Sequence, residues 1–404
     1  MTPPRLEVAD VIRRHGGAFL DRYGDALGPE QRRALSDVAA CRTAALGGHV
    51  ETCDRCGHRQ VAYNSCRNRH CPKCQASDAA DWVEAREAEL LPVAYFHLVF
   101  TLPAALGPIA LQNPRVVYGL LFRAAAETLR QVAADPKHLG AEVGFLAVLH
   151  TWGQNLQHHP HVHCVVPGGG IAPDASRWVA CRPGFFLPVR VLSRVFRGKF
   201  LSLLRTAFDR GRLAFHGKLG PLADPAEFQR RLADSARTEW VVHAKPPFGG
   251  PHQVLKYLAR YTHRVAISNS RLVATEGDDV TFRWKDYARG GKQKTMTLKT
   301  TEFIRRFLLH VLPSGFVRIR HYGFLANRVC REKLELCRTL LATTPPVAAV
   351  PVAEPKEAVE GRPEAYACPA CGAGRMVIVE TIPAASVNRR EPRPALEPAG
   401  FDTS

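Results

Sequence analysis

Apolar positions in residues 1–40 (Val8, Val11, Ile12, Phe19, Leu20, Leu27) recur at helical spacing, broken at Gly16-Gly17 and Gly28-Pro29, which predicts two short helices. From Cys41 to Cys74 apolar residues are sparse, and such a segment cannot fold on a core of its own. Helical spacing returns over 77–91 behind the capping pair Ser77-Asp78. The run 95–102, Tyr-Phe-His-Leu-Val-Phe-Thr-Leu, is rich in strand formers and stops at Pro103, as a buried strand does. A long helix is predicted over about 114–134, with Pro114 near its start. Residues 144–152 and 161–166 read as a strand hairpin joined by a polar loop. A basic helix follows over 188–214, then a strand over 240–244, a turn at 246–250 and a helix over 251–264. Strands at 271–275, 280–287 and 292–298 form a meander with a turn at Gly290-Gly291. A helix at 301–311, a strand at 316–319 and a final helix complete the pattern. Strands that meet through hairpins and are separated by helices predict an α+β fold with a central, mainly antiparallel sheet flanked by helices.

With 404 residues, 46% of them hydrophobic, the chain can bury two or three cores at roughly 150 residues per domain. A net charge of +18 and a pI near 9.7, with the basic excess in residues 1–350, call for an anionic partner, nucleic acid ahead of a membrane surface. The first residues lack the basic and apolar regions of a signal peptide, and no apolar run approaches the ~20 residues that span a bilayer, so a cytoplasmic protein with no membrane partner is expected. Reduced conditions there make the 12 cysteines metal ligands before disulfides.

Cys53-x-x-Cys56 and Cys71-x-x-Cys74 stand fourteen residues apart, a spacing suited to a closed four-thiolate structural Zn2+ site. Cys41, His49, Cys66 and His70 supply donors for a second, interleaved tetrahedron, with His58 an equal alternative. Between the ligands stand Arg55, Arg59, Arg67, Arg69 and Lys73, cations suited to DNA phosphates. Cys368-x-x-Cys371 offers two ligands only. Unless Cys330 and Cys337 or a second chain complete it, the pair reads as a degenerate ribbon or free thiols, while Cys164 and Cys181 read as core. On the strand His-Val-His-Cys-Val-Val, His161 and His163 share one face and Val162 takes the other. Two buried imidazoles side by side call for a divalent cation, and Gln154 in the adjoining loop is the preferred third ligand. Such a set leaves positions open for phosphate oxygen and water, which suits a catalytic Mg2+ or Mn2+, imidazole favouring Mn2+. The adjacent His158 and His159 either add ligands or line the loop. In the helix predicted over 251–264, Tyr257 and Tyr261 are four apart and share a face, and each is followed three residues later by an arginine, Arg260 and Arg264. Two phenols, two guanidiniums and a metal motif together fit phosphoryl transfer through a tyrosine nucleophile.

These features together, His161-Val162-His163, the pair Tyr257 and Tyr261, the cysteine-rich front 41–74 and the stretch Arg318-Ile-Arg-His-Tyr-Gly-Phe-Leu-Ala-Asn327, resemble transposases of the insertion sequence 91 family over 41–338. The resemblance implies an HUH-type nuclease core and a two-tyrosine endonuclease that nicks one strand at a transposon end. It would stay attached to the 5′ side through phosphotyrosine and pass the displaced strand to a target in rolling-circle transposition. By the same likeness 100–102 corresponds to the first strand motif of that nuclease superfamily, where the third ligand is commonly acidic or histidine. The implied partners are single-stranded or hairpin transposon ends and target DNA. The expected boundaries are a helical segment at 1–40, a zinc-binding, DNA-contacting module at 41–92 and a catalytic domain at 93–340. A Pro/Ala linker at 341–365 and a tail at 366–404 follow. Competing readings are a plasmid or phage replication initiator or relaxase with the same chemistry, a non-catalytic zinc-finger DNA-binding protein, and a zinc hydrolase using His158, His159, His161 and His163.

Overall fold

Strand alternation sets the architecture of the computed structural model, which describes residues 6–75, 89–248, 265–286, 290–343 and 367–385. In chain order the strands are β1 (Gly48–Cys53), β2 (Arg59–Tyr63), β3 (Tyr95–Thr101), β4 (Phe145–Trp152), β5 (His158–Pro167), β6 (Gly169–Ile171) and β7 (Trp178–Ala180). After them come β8 (Val242–Phe248), β9 (Leu272–Glu276), β10 (Asp279–Asp286), β11 (Lys292–Lys299), β12 (Ile319–Tyr322) and β13 (Met376–Ile382). The helices are α1 (Val8–Tyr23), α2 (Pro29–Ala40), α3 (Gly107–Gln112), α4 (Pro114–Ala134), α5 (Val189–Asp209), α6 (Pro225–Arg237), α7 (Thr300–Leu308) and α8 (Cys330–Thr343). The chain divides into two units, Met1–Ala39 with Arg67–Ala358, and Ala40–Cys66 with Val359–Ser404.

The larger unit is built on a five-stranded sheet of order β12-β4-β5-β3-β8, antiparallel throughout. Alternate residues Phe96, Leu98 and Phe100 of β3, Phe145, Ala147 and Leu149 of β4, and Val162, Cys164 and Val166 of β5 face one side. They are buried there with Leu121, Phe122 and Leu129 of α4 and Phe196, Phe200 and Leu204 of α5. The intervening residues build the opposite face, and at one end Tyr95, Leu146, Val148 and Val165 form a smaller apolar cluster. Toward the start of β5 that face changes to histidine.

Phe196 anchors the helix–sheet layer, its ring 5.1 Å from that of Phe100 and 5.3 Å from that of Trp240. Phe196→Ala is therefore expected to cost about 3–5 kcal/mol, read as a lower urea midpoint with an unchanged slope.

The α+β class with a mainly antiparallel sheet matches the sequence pattern, and several local expectations change. Helix α1 runs through Gly16-Gly17, because a mid-helix glycine costs only about 1 kcal/mol and the buried stripe Val8, Val11, Ile12 and Phe19 holds the helix in place. Strand β5 begins at His158, so His158-His159-Pro160 lies on the strand and not in a loop, and β8 runs to Phe248 through the turn expected at 246–250. The strand expected at 316–319 is Ile319–Tyr322, paired with β4. Helix α6, which the apolar pattern did not announce, starts at an Asp224 cap that accepts from the N–H groups of Ala226 and Glu227. The helix expected over 251–264 and most of that over 77–91 lie outside the described residues.

In the smaller unit β1 is the central strand, paired antiparallel with β2 and with β13. The terminal segment, expected as a tail, thus supplies a strand of this sheet.

Candidate metal centre on the histidine face

In an antiparallel sheet directly opposed residues point to the same side. His161 of β5 lies opposite His150 of β4, and His163 lies opposite Val148 of β4 and Val99 of β3. His150, His161 and His163 therefore converge, with one ring nitrogen of each within 4.8 Å of the others. His150 and His163 are buried and His161 is half-buried.

The ring orientations suit coordination. His161 Nδ1–H donates to the carbonyl of His159 at 2.6 Å, which leaves Nε2 with its lone pair. His163 Nδ1 lies 2.7 Å from His97 Nε2, and the planes of the two rings are nearly parallel, at 9°. Burial, and then the nearby Lys245 charge, push the His97 imidazole down to about 3, so His97 stays neutral. With His163 as donor in this pair, its Nε2 is the atom left for a metal. No local pattern in the sequence marks His97 for this role. As the orienting partner of a ligand, His97→Phe is expected to weaken Mn2+ binding about 10- to 100-fold in a calorimetric titration.

Three neutral nitrogen donors with no carboxylate suit a borderline divalent cation, and they leave positions for oxygen ligands. Edge strand β8 places His243 opposite Val99 and Lys245 opposite His97, so exposed basic side chains lie on the same face. An anionic backbone is electrostatically matched to such a surface.

Gln154, the expected third donor, lies outside the paired strands that carry the three imidazoles. It lies past Trp152, the last paired residue of β4, and its backbone carbonyl accepts from the Arg271 guanidinium. The third imidazole is His150, four residues earlier on β4 and inside its paired region. His158 points to the other side of the sheet and hydrogen-bonds the Tyr118 hydroxyl at 2.8 Å, which removes it from any shared histidine cluster. Tyr257, Arg260, Tyr261 and Arg264 lie outside the described residues, on the segment that follows β8.

The thiols pair differently from the expectation. Cys53 and Cys56 meet Cys368 and Cys371 in the smaller unit, all four sulfurs within 4.8 Å of one another, and not Cys71 and Cys74, which belong to the larger unit. The N–H groups of Ala373 and Gly374 hold the Cys371 thiol down to about 6. His49 is engaged by Glu51 at 2.9 Å, and His70, pushed down to about 3 by burial, accepts the Leu312 N–H at 3.4 Å. Neither serves the second tetrahedron for which it was considered. Cys330 and Cys337 pack with Leu334 and Leu340 in a core cluster and so do not complete the Cys368 pair.

Of the five cations considered for DNA, Arg55, Arg59 and Arg67 are exposed. Arg69 instead donates to the carbonyls of Phe316 and Pro313 at 2.6 and 2.9 Å, and Lys73 pairs with Glu7 at 2.6 Å, so both hold the fold together.

Residues 144–333 match a family described as "Putative transposase", and residues 11–102 match one described as "Transposase zinc-binding domain". The chain is 59% identical over 379 residues to "Putative transposase y4qJ" of Sinorhizobium fredii, covering 93% of this chain and 95% of that protein. It is 29% identical over 355 residues to the transposase for insertion sequence element IS801 of Pseudomonas savastanoi pv. phaseolicola, covering 86% and 83% respectively. The chain belongs to the insertion sequence 91 family of transposases. DNA is accordingly the partner of this transposase, and its cysteine-rich front is a zinc-binding domain. The histidine cluster falls within the segment matched to the transposase family, and Cys368 and Cys371 fall outside both matched segments. No solved structure matches the chain. Among the described residues no helix is long and apolar enough to cross a membrane.

Proposed function

We propose that this transposase nicks single-stranded DNA at transposon ends through Tyr257 or Tyr261 and drives rolling-circle transposition of its insertion sequence. The observation that carries the reading is the convergence of His150, His161 and His163 on one sheet face beside the basic edge of β8. The residues fit a divalent metal: three imidazoles suit Mn2+ better than Mg2+, which prefers oxygen donors. His150, His161 and His163 would hold such a cation, which would supply Lewis-acid polarisation of the scissile phosphate.

The remaining chemistry belongs to the chain. The tyrosine Oη attacks phosphorus, the Oη–P bond forms and the P–O3′ bond breaks. The phenol proton passes to solvent and the departing 3′ oxygen takes up a proton, leaving a 5′-phosphotyrosine and a free 3′ hydroxyl. The phosphotyrosine ester conserves the bond energy, so the strand can be rejoined without ATP. Two phenols let one chain hold two ends in turn, and Arg260 and Arg264 offset phosphate charge. Arg55, Arg59 and Arg67 contact the backbone of transposon-end or target DNA, in single-stranded or hairpin form. We place the protein in the cytoplasm, with the DNA it acts on.

The test is a single-stranded oligonucleotide carrying the element's end, incubated with the protein and Mn2+ and run on a denaturing gel. A protein-linked band that disappears with chelator is expected. Bound DNA that gives no such band would contradict the reading.

A further inference from the structure

We propose that Cys53, Cys56, Cys368 and Cys371 form a four-thiolate Zn2+ site that closes the zinc-binding sheet with the far end of the chain, making residues 367–385 part of that domain.

The sulfur positions decide the chemistry. Cys53 and Cys371 Sγ lie 3.8 Å apart, and Cys56 and Cys368 Sγ 3.6 Å apart. A tetrahedron with metal–sulfur bonds of about 2.3 Å has edges of about 3.8 Å, whereas a disulfide needs about 2.05 Å. The separations are those of thiolates gathered round one ion, not of bonded sulfurs.

The two loops that present the sulfurs share one construction. Each reads Cys-x-x-Cys-Gly, with Gly57 and Gly372 at φ of +71° and +67°, the left-handed region that only glycine enters without steric cost. In each, the glycine N–H donates to the carbonyl of the first cysteine, at 3.1 Å for Gly57 and 2.8 Å for Gly372. Backbone N–H groups also point at sulfur: those of Arg55 and Cys56 at Cys53 (both 3.4 Å), that of Ala370 at Cys368 (3.4 Å) and that of Gly374 at Cys371 (3.3 Å). Donors aimed at sulfur favour the thiolate, the form that binds metal.

The sheet holds the loops against each other. β13 pairs with all six residues of β1, and beyond the last pair the Asp54 N–H donates to the Arg375 carbonyl at 3.0 Å while the Arg375 N–H donates to the Asp54 carboxylate at 2.8 Å. Two knuckles thus stand side by side at one end of a ladder, although more than 300 residues separate them in sequence. Each contributes two ligands, and neither could close a site alone.

Two measurements on the full-length protein test this, and neither reads nicking, so their failure is separate from any failure of the proposed activity. Elemental analysis of the Cys368→Ser/Cys371→Ser double variant is expected to show one zinc per chain fewer than the parent, and an equal zinc content would overturn the site. On the unsubstituted protein, alkylation of Cys368 and Cys371 followed by mass spectrometry is expected to be at least tenfold slower with Zn2+ than after chelation. Equal labelling rates in the two conditions would overturn it as well, whether or not the double variant folds.

Discussion

His150→Ala is expected to lower nicking of single-stranded DNA about 100- to 1,000-fold, because a metal-bound phosphate gains several kcal/mol of charge stabilisation and each 1.4 kcal/mol is a factor of ten in rate. His161→Ala and His163→Ala should match it. The three rings share one sheet face with their coordinating atoms within 4.8 Å of one another, so losing any one opens the same set. Binding of the oligonucleotide, which rests on surface cations, should change little. Gln154→Ala is the informative control. Gln154 sits beyond the paired end of β4, and its backbone carbonyl, which the substitution keeps, makes the contact to Arg271. It should retain nearly full activity. Nicking that survives His150→Ala and is lost in Gln154→Ala would reverse the ligand assignment.

The Tyr257→Phe/Tyr261→Phe double variant should form no covalent adduct with DNA while binding it normally. Phenylalanine keeps the ring and removes only the oxygen proposed to attack phosphorus, so a loss of adduct without a loss of binding isolates the nucleophile. Each single variant should lose one of the two adducts. Adduct at parental levels in the double variant would mean that neither tyrosine is the nucleophile.

Much of the five-stranded sheet is legible in the sequence because a strand with one face on the core writes its register into alternation. Val162, Cys164 and Val166 go to the core, so His161 and His163 must go to the other side. What alternation within one strand cannot supply is the register between strands. Whether His150 or Gln154 meets that pair depends on the length of the paired region and on an irregularity between His150 and Trp152, neither of which any local pattern encodes. His97 is hidden for the same reason, since its partner His163 is set by the pairing of β3 with β5.

The thiols show a different limit. Spacing identifies Cys-x-x-Cys pairs but not which pair joins which, and nearness along the chain favoured Cys71 and Cys74 for Cys53 and Cys56. The strand Met376–Ile382 reverses that choice by adding to β1 and carrying Cys368 and Cys371 with it. The sequence hides this strand, because its surroundings are rich in proline and alanine and only one knuckle marks it. Arg69 and Lys73 likewise read as phosphate contacts by composition, and only the fold reveals the carbonyls and carboxylate that engage them.

The central claim is that three imidazoles of one sheet face hold the catalytic cation. Pulsed electron paramagnetic resonance of the full-length protein loaded with a single equivalent of Mn2+ tests it most directly. The account predicts couplings from three directly bound imidazole nitrogens, with one lost in each of His150→Ala, His161→Ala and His163→Ala. A spectrum showing oxygen ligands alone, unchanged by those substitutions, would contradict it.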